Sequence, residues 1–349
     1  MSVTKAYAAT SPTSGLSATT IDRREPGPED VEIAIDFCGL CHSDVHATRG
    51  EWGGDNYPLI PGHEIVGRVS RVGSTVTRFS AGDTVGVGCM VDSCRECESC
   101  LEGLEQYCEQ GMIGTYGAAD KRHEGRITQG GYSTSIVVDQ HYVLRVPANL
   151  DPAAVAPLLC AGITTYSPLR YLDVEEGDAV GVIGLGGLGH MAVKLAKAMG
   201  ARVTVFTTSA GKADDARALG ADAVVVSSNE DQMAGARQTL NAIIDTVAAK
   251  HDINLYLRTL KRDGALVQLG LPPEEMPAVN PGLLIRKRLA YGGSLIGGIE
   301  ETQEMLDFCA EHNVVSSIEL VSAAQLNESY DRMVAGDVKY RFVLDASTI

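Results

Sequence analysis

The chain has 349 residues, 44% of them hydrophobic, and a formal net charge of −16. That length suits two domains, each with its own core. So acidic a chain argues against a nucleic-acid partner, which usually demands a basic face, and equally against an anionic membrane surface.

No apolar run approaches the roughly 18 residues that span a bilayer. The start, Met1-Ser2-Val3-Thr4-Lys5, has no signal-peptide core behind it. The nine cysteines are tightly clustered, which favours metal binding in a reducing cytosol over disulfides.

Residues 1 to about 150 read as β-rich. Val31 to Ile35 alternates at period two, as a half-buried strand does. Ile65 to Val72, Asp83 to Gly88 and Thr134 to Val138 are further short β-like runs between Gly-rich turns. The pattern suits a partly closed barrel whose loops carry a site. Near Pro147 to Ala156 the character changes. Ala179 to Ile183 is an apolar strand and Leu188 to Met199 a helix. Arg202 to Thr207, Ala223 to Val226, Ala242 to Asp245 and Ala265 to Leu269 continue as strands, with a helix from Lys212 to Leu219. Such alternation predicts a parallel sheet with right-handed crossovers. Glu301 to Glu311 reads as a helix and Tyr340 to Leu344 as extended.

Three motifs carry chemistry. The first is Gly62-His63-Glu64, taken with Cys38-Gly39-Leu40-Cys41-His42-Ser43-Asp44 and with Cys160. Two thiolates and an imidazole would leave one corner of a tetrahedral zinc open. Spacing alone does not join positions 41, 63 and 160. Cys38-x-x-Cys41 by itself also fits a redox pair or half of a zinc site. The second motif is Cys94-x2-Cys97-x2-Cys100-x7-Cys108. Four thiolates close a tetrahedral structural zinc; a four-cysteine iron–sulfur cluster is the rival reading. Cys89 and Cys309 fall outside both sets and read as core residues.

The third motif is Gly184-Leu185-Gly186-Gly187-Leu188-Gly189. It follows an apolar strand and opens a helix, the context that makes G-x-G-x-x-G a dinucleotide site. Gly184 would make the tight turn, Gly186 admit the pyrophosphate and Gly189 bring helix and strand together. The helix N-terminus offers unpaired N–H groups to phosphate. The next strand ends Phe206-Thr207-Thr208-Ser209-Ala210-Gly211-Lys212 without the carboxylate that NAD sites place near there. The hydroxyls of Thr207 and Ser209 and the ammonium of Lys212 suit a 2′-phosphate instead, which points to NADP(H).

These residues, over essentially the whole chain, resemble the zinc-dependent medium-chain alcohol dehydrogenases, in their cinnamyl alcohol dehydrogenase branch. The similarity extends to bacterial broad-specificity NADP-dependent aldehyde reductases. The resemblance implies an α/β protein. A β-rich GroES-like catalytic domain (1–155 with 297–349) would join a Rossmann cofactor domain with a doubly wound parallel sheet (156–296).

The resemblance also implies two zinc ions per chain. The catalytic one would sit on Cys41, His63 and Cys160, and the structural one on Cys94, Cys97, Cys100 and Cys108. Asp44 would orient His63, or else simply cap a loop. Glu64 would lie behind the metal, either approaching it or tuning it from outside. Ser43 and His46 match a proton relay running through the nicotinamide ribose; the bland alternative is a turn Ser and a surface His. NADP(H) contacts would come from Thr164, Gly184, Gly186, Gly187, Leu188, Gly189, Thr207, Thr208, Ser209, Lys212, Thr246, Gly270, Ser294, Ile296 and Arg341. Trp52, Tyr57 and Leu295 would line the substrate cleft, ordinary packing being the alternative for Trp52.

The implied reaction interconverts aldehydes and primary alcohols, small molecules that leave no role for nucleic acid or membrane. NAD-dependent polyol or formaldehyde oxidation on the same fold is the first rival. A metal-stabilised binding protein without activity is the second. A homodimer is expected through the apolar run Arg288 to Ser294 at the end of the parallel sheet, because an uncovered edge strand exposes unpaired backbone groups.

Overall fold

The structure, a computed structural model, describes every residue except Met1, Gly54, Asp55 and Pro273. The chain divides into two compact units. One comprises Met1–Cys160 and Gly297–Ile349, the other Ala161–Ile296.

The first unit is built on the strand Asp30–Gly39, whose alternating apolar residues Val31, Ile33 and Ile35 are buried. It pairs antiparallel with Ile65–Val72, with Ser135–Asp139 and with Arg341–Asp345. The chain's last strand therefore lies beside one of its first. The register sets Cys38 opposite Ile65 and Gly39 opposite Val343. Three loops consequently meet at one end of adjacent strands: the one after Gly39, the one before Ile65 and the one before Arg341. An N-terminal hairpin, Ser2–Ala9 with Leu16–Arg23, and the helix Leu326–Val334 were not foreseen from sequence.

The second unit is a six-stranded, wholly parallel sheet. Its order is Ala223–Val226, Arg202–Thr207, Ala179–Ile183, Leu240–Asp245, Leu260–Gln268, Ala290–Gly293. Counted along the chain, that is the 3-2-1-4-5-6 order of a doubly wound nucleotide fold. Apolar runs buried on both faces explain it: Val180, Val182, Val203, Val205, Ile243, Ile244 and Leu266 are all enclosed. The register aligns Ile183 with Phe206 and Asp245, and Gln268 with Asp245 and Gly293. The loops that follow these strands share one edge of the sheet. The helix Ala161–Tyr171, with Pro168 inside it, had no clear signal in the sequence. The predicted helix at Lys212 to Leu219 is a 3-10 turn, Ala210–Lys212, followed by Ala213–Ala218.

Candidate active site

In the first unit, Cys41 caps the short helix His42–Thr48, just past the strand that ends at Gly39. His63 and Glu64 immediately precede Ile65. Cys160 follows the turn Ala156–Leu159, where Pro157 stands inside the first turn. One donor atom from each of Cys41, His63, Glu64 and Cys160 lies within 4.8 Å of the others, and all four residues are buried.

Asp44 holds this geometry. It is fully buried. One carboxylate oxygen accepts the Cys41 amide at 2.9 Å. The other accepts the Gly62 amide and His63 Nδ1, both at 3.0 Å. With Nδ1–H committed to the carboxylate, Nε2 keeps its lone pair for a metal. Asp44 thus caps the loop and orients the histidine at once. Gly62 has φ +100°, and a Cβ there would come within 2.7 Å of Cys38 Sγ and the Tyr132 ring; only glycine lets His63 reach its place. Tyr116, absent from the sequence expectations, puts its ring 5.7 Å from that of His63.

Electrostatics favour a cation here. A hydrogen bond from Cys160 holds the Cys41 thiol well below its ordinary pKa, so the pair loses its first proton readily. Burial and nearby charges act on Glu64 in opposition: desolvation outweighs the downward pull of the Arg341 guanidinium and leaves its pKa raised to about 7. Arg341 is buried and ion-paired to Glu64. Arg341 thus stands beside the candidate metal ligands of the first unit. Its Nε and Glu64 Oε2 are buried without a partner. Two thiols, an imidazole nitrogen and an orphaned carboxylate oxygen form a donor set that fits zinc. Cys89, expected to be a plain core residue, instead lies in this neighbourhood. Its thiol points to the Leu159 carbonyl at 3.7 Å and acts electrostatically on Cys160 and His63. Cys309 is a core residue, packed 3.6 Å from Met305 Sδ.

Ser43 Oγ is 3.6 Å from Cys41 Sγ. His46, on the same helix, has Nδ1 at 2.5 Å from Glu51 Oε2, and its ring stacks 5.1 Å from that of Trp52. Glu51 went unnoticed in the sequence because a loop carboxylate beside Trp52 carries no motif. Trp52 is 53% exposed, and Tyr57 donates its hydroxyl to the Thr48 carbonyl at 3.0 Å.

In a separate lobe, the Sγ atoms of Cys94, Cys97, Cys100 and Cys108 all lie within 4.8 Å of one another. Backbone N–H groups point at the sulfurs: Cys97 N to Cys94 Sγ at 3.3 Å and Cys94 N to Cys108 Sγ at 3.4 Å. Donors aimed at sulfur suit thiolates, and four sulfurs leave no open corner. None of the nine cysteines forms a disulfide.

The second unit carries the glycine motif at the end of Ala179–Ile183. Gly184 has φ +89°. A Cβ on Gly189 would meet the Gly184 carbonyl oxygen at 2.3 Å, whereas one on Gly186 would project into open space. That open space is the cradle a pyrophosphate needs. Gly187 and Leu188 form the turn into the helix Gly189–Ala198. Lys212 Nζ reaches the Leu185 carbonyl at 3.4 Å, so its charge stands at the glycine loop. Thr207 is buried, and its hydroxyl accepts the Ser209 amide at 3.2 Å; Thr208 and Ser209 are exposed. Thr246 donates its hydroxyl to the Ile183 carbonyl at 2.7 Å. Gly270 and Ser294 follow neighbouring strands, and Ile296 has φ +37°, unusual for a β-branched residue. Thr164 is buried in the helix Ala161–Tyr171, and Leu295 is exposed. The residues present fit a dinucleotide.

Comparison with known proteins agrees with this architecture. Residues 27–148 match the alcohol dehydrogenase GroES-like domain, and residues 187–311 match the zinc-binding dehydrogenase domain. The chain is 56% identical to NADP-dependent alcohol dehydrogenase C 1 of Mycolicibacterium smegmatis, covering 100% of this chain and 99% of that protein. It is 55% identical to aldehyde reductase YahK of Escherichia coli, covering 99% and 97%. Among solved structures, cinnamyl alcohol dehydrogenase SbCAD4 of Sorghum bicolor superposes with a TM-score of 0.95 at 46% identity, covering 99% of this chain and 98% of that one. The Helicobacter pylori cinnamyl alcohol dehydrogenase complexed with NADP(H) gives 0.92 at 42% identity, with the same coverage. The chain belongs to the zinc-dependent medium-chain alcohol dehydrogenases, in the cinnamyl alcohol dehydrogenase branch.

Proposed function

We propose that the chain is an NADP(H)-dependent alcohol dehydrogenase that acts as a broad-specificity reductase of aromatic and aliphatic aldehydes. The observation that carries this reading is the buried Cys41, His63, Glu64 and Cys160 set, in a chain that also bears a glycine-motif cradle. Relatives named NADP-dependent alcohol dehydrogenase and aldehyde reductase support the cofactor and the direction. When bound, zinc polarises the carbonyl and NADPH supplies the hydride.

The chain's own residues do the rest. Cys41, His63 and Cys160 hold the catalytic metal, and Asp44 fixes the His63 tautomer. Arg341 neutralises Glu64 behind the metal, so that the buried carboxylate does not repel the thiolates. Ser43, next to Cys41, hands a proton to the product oxygen. His46, held by Glu51 at the surface, exchanges protons with water; a histidine suits that role near neutral pH. The four cysteines of the second cluster hold a structural zinc. Lys212, Thr207 and Ser209 select the 2′-phosphate, and the absence of a carboxylate at that strand end argues against NAD-dependent polyol or formaldehyde oxidation. Trp52, Tyr57 and Leu295 are the assigned substrate contacts. A reducing cytosol suits the free thiols, and a homodimer covers the edge strand Ala290–Gly293. Metal analysis, combined with NADPH oxidation across a panel of aldehydes, tests the reading. Two zincs per chain and turnover with NADPH are expected; an enzyme that prefers NADH with polyols overturns it.

A further inference from the structure

The strand Leu240–Asp245 ends in a carboxylate that the reaction does not use. Asp245 is fully buried at the cofactor edge of the sheet. Its Oδ1 accepts the Val247 amide at 3.1 Å, and its Oδ2 is 2.9 Å from His251 Nε2. Its main-chain carbonyl accepts the amides of Leu269 at 2.8 Å and Gly270 at 3.3 Å. The other nitrogen of His251, Nδ1, is 2.7 Å from the Ala249 carbonyl. A carbonyl can only accept, and so can an ionised carboxylate. When His251 carries its second proton both ring nitrogens donate, and the imidazolium ties Asp245 to Ala249.

That tie encloses the segment Thr246-Val247-Ala248. The segment is wedged between two glycine loops. A Cβ on Gly184 would come within 2.8 Å of Val247 Cγ2, and one on Gly270 within 2.3 Å of the Val247 carbonyl carbon. Any shift of Val247 is therefore transmitted to both loops. We propose that His251 is a positioning residue for the cofactor: with Asp245 it clamps the 246–248 segment, and through it the glycine loop, into the form that binds NADP(H). This rests on the NADP(H) reading above. Groups facing the ring are Asp245, Asp252 at the cap of the next helix, and Tyr256, whose ring meets it edge-on at 5.9 Å. The Asp245 hydrogen bond raises the His251 pKa above its ordinary value. The two-donor form is complete below about 6.5, the usual histidine pKa. It is lost as pH rises through the raised value.

The test is NADPH binding to the full-length zinc-loaded protein, followed by cofactor fluorescence across pH. His251→Ala is expected to raise the NADPH Kd by about tenfold, the order of one charge-assisted hydrogen bond. Zinc content and aldehyde KM should be unchanged. Wild-type affinity should decline on the alkaline side of the His251 titration, and the variant should lack that decline. His251→Gln keeps one donor for Asp245; it should recover part of the affinity without the pH dependence, and it carries the test if the alanine variant is insoluble. A variant that melts lower yet binds NADPH as wild type does, with the same pH dependence, overturns the clamp. A wild-type protein that binds no NADPH overturns the cofactor reading itself.

Discussion

At the scale of single residues, the two cysteine clusters should respond differently to loss of one ligand. On the proposed reading Cys41 is one of three ligands of a catalytic zinc, so Cys41→Ala should abolish turnover, remove one zinc per chain and leave the melting temperature close to wild type. Cys100 belongs to a closed set whose metal binding is coupled to folding. Cys100→Ala should lower the melting temperature, by roughly 2–4 °C for each kcal/mol lost. Metal content and thermal melts decide, and a Cys100→Ala protein that keeps two zincs and melts normally would refute the structural role. Lys212 poses a second question at this scale. Its ammonium stands at the glycine loop, and one charged hydrogen bond is worth about ten- to a hundredfold in affinity. Lys212→Ala should raise the NADPH KM by about that factor and leave NADH kinetics nearly unchanged; equal effects on both cofactors would refute 2′-phosphate recognition.

At the scale of elements, the glycine motif separates close packing from ligand binding. Gly189 opens the helix Gly189–Ala198 hard against the Gly184 carbonyl, so a side chain there must push helix from strand. Overpacking of that kind costs roughly 1–3 kcal/mol. Gly186 faces open space. Gly186→Val should therefore fold and melt nearly as wild type does but lose NADPH binding, whereas Gly189→Val should lose stability as well. Calorimetry alongside cofactor titration distinguishes them; a Gly186→Val protein that binds NADPH normally would refute the cradle.

The same scale explains what the sequence made legible. The strand-then-glycine context marked the cofactor motif, and C-x2-C-x2-C-x7-C marked the closed metal cluster, because both are local in the chain. Cys41, His63 and Cys160 are not local. Cys41 and His63 converge because Cys38 pairs with Ile65, and Cys160 is delivered by the turn Ala156–Leu159, a placement that no spacing reveals; resemblance supplied what periodicity could not. Glu51, Tyr116 and His251 went unread, and Cys89 was read only as a core residue. Each is a lone residue that no motif marks, and the Glu64 partner of Arg341 was likewise not foreseen.

At the scale of the whole molecule, the parallel sheet ends in an uncovered strand. Among the described residues Ala290–Gly293 pairs only with Leu260–Gln268, and all four of its residues are exposed. Ile285, on the helix leading into it, is 79% exposed, and Tyr291 is also exposed. A free edge flanked by apolar side chains is a template for pairing with another chain. A net charge of −16 keeps copies apart in general, so association must come from a specific surface; of the sheet's two edge strands, Ala290–Gly293 is exposed at every residue whereas Ala223–Val226 is partly buried. Light scattering at micromolar concentration should give twice the 36.9 kDa chain mass. Ile285→Asp places a charge beside the edge without touching the buried core. It should shift the mass toward the monomer while far-ultraviolet dichroism stays unchanged. A monomeric wild-type protein, or an Ile285→Asp variant that stays as dimeric as wild type, would place the interface elsewhere.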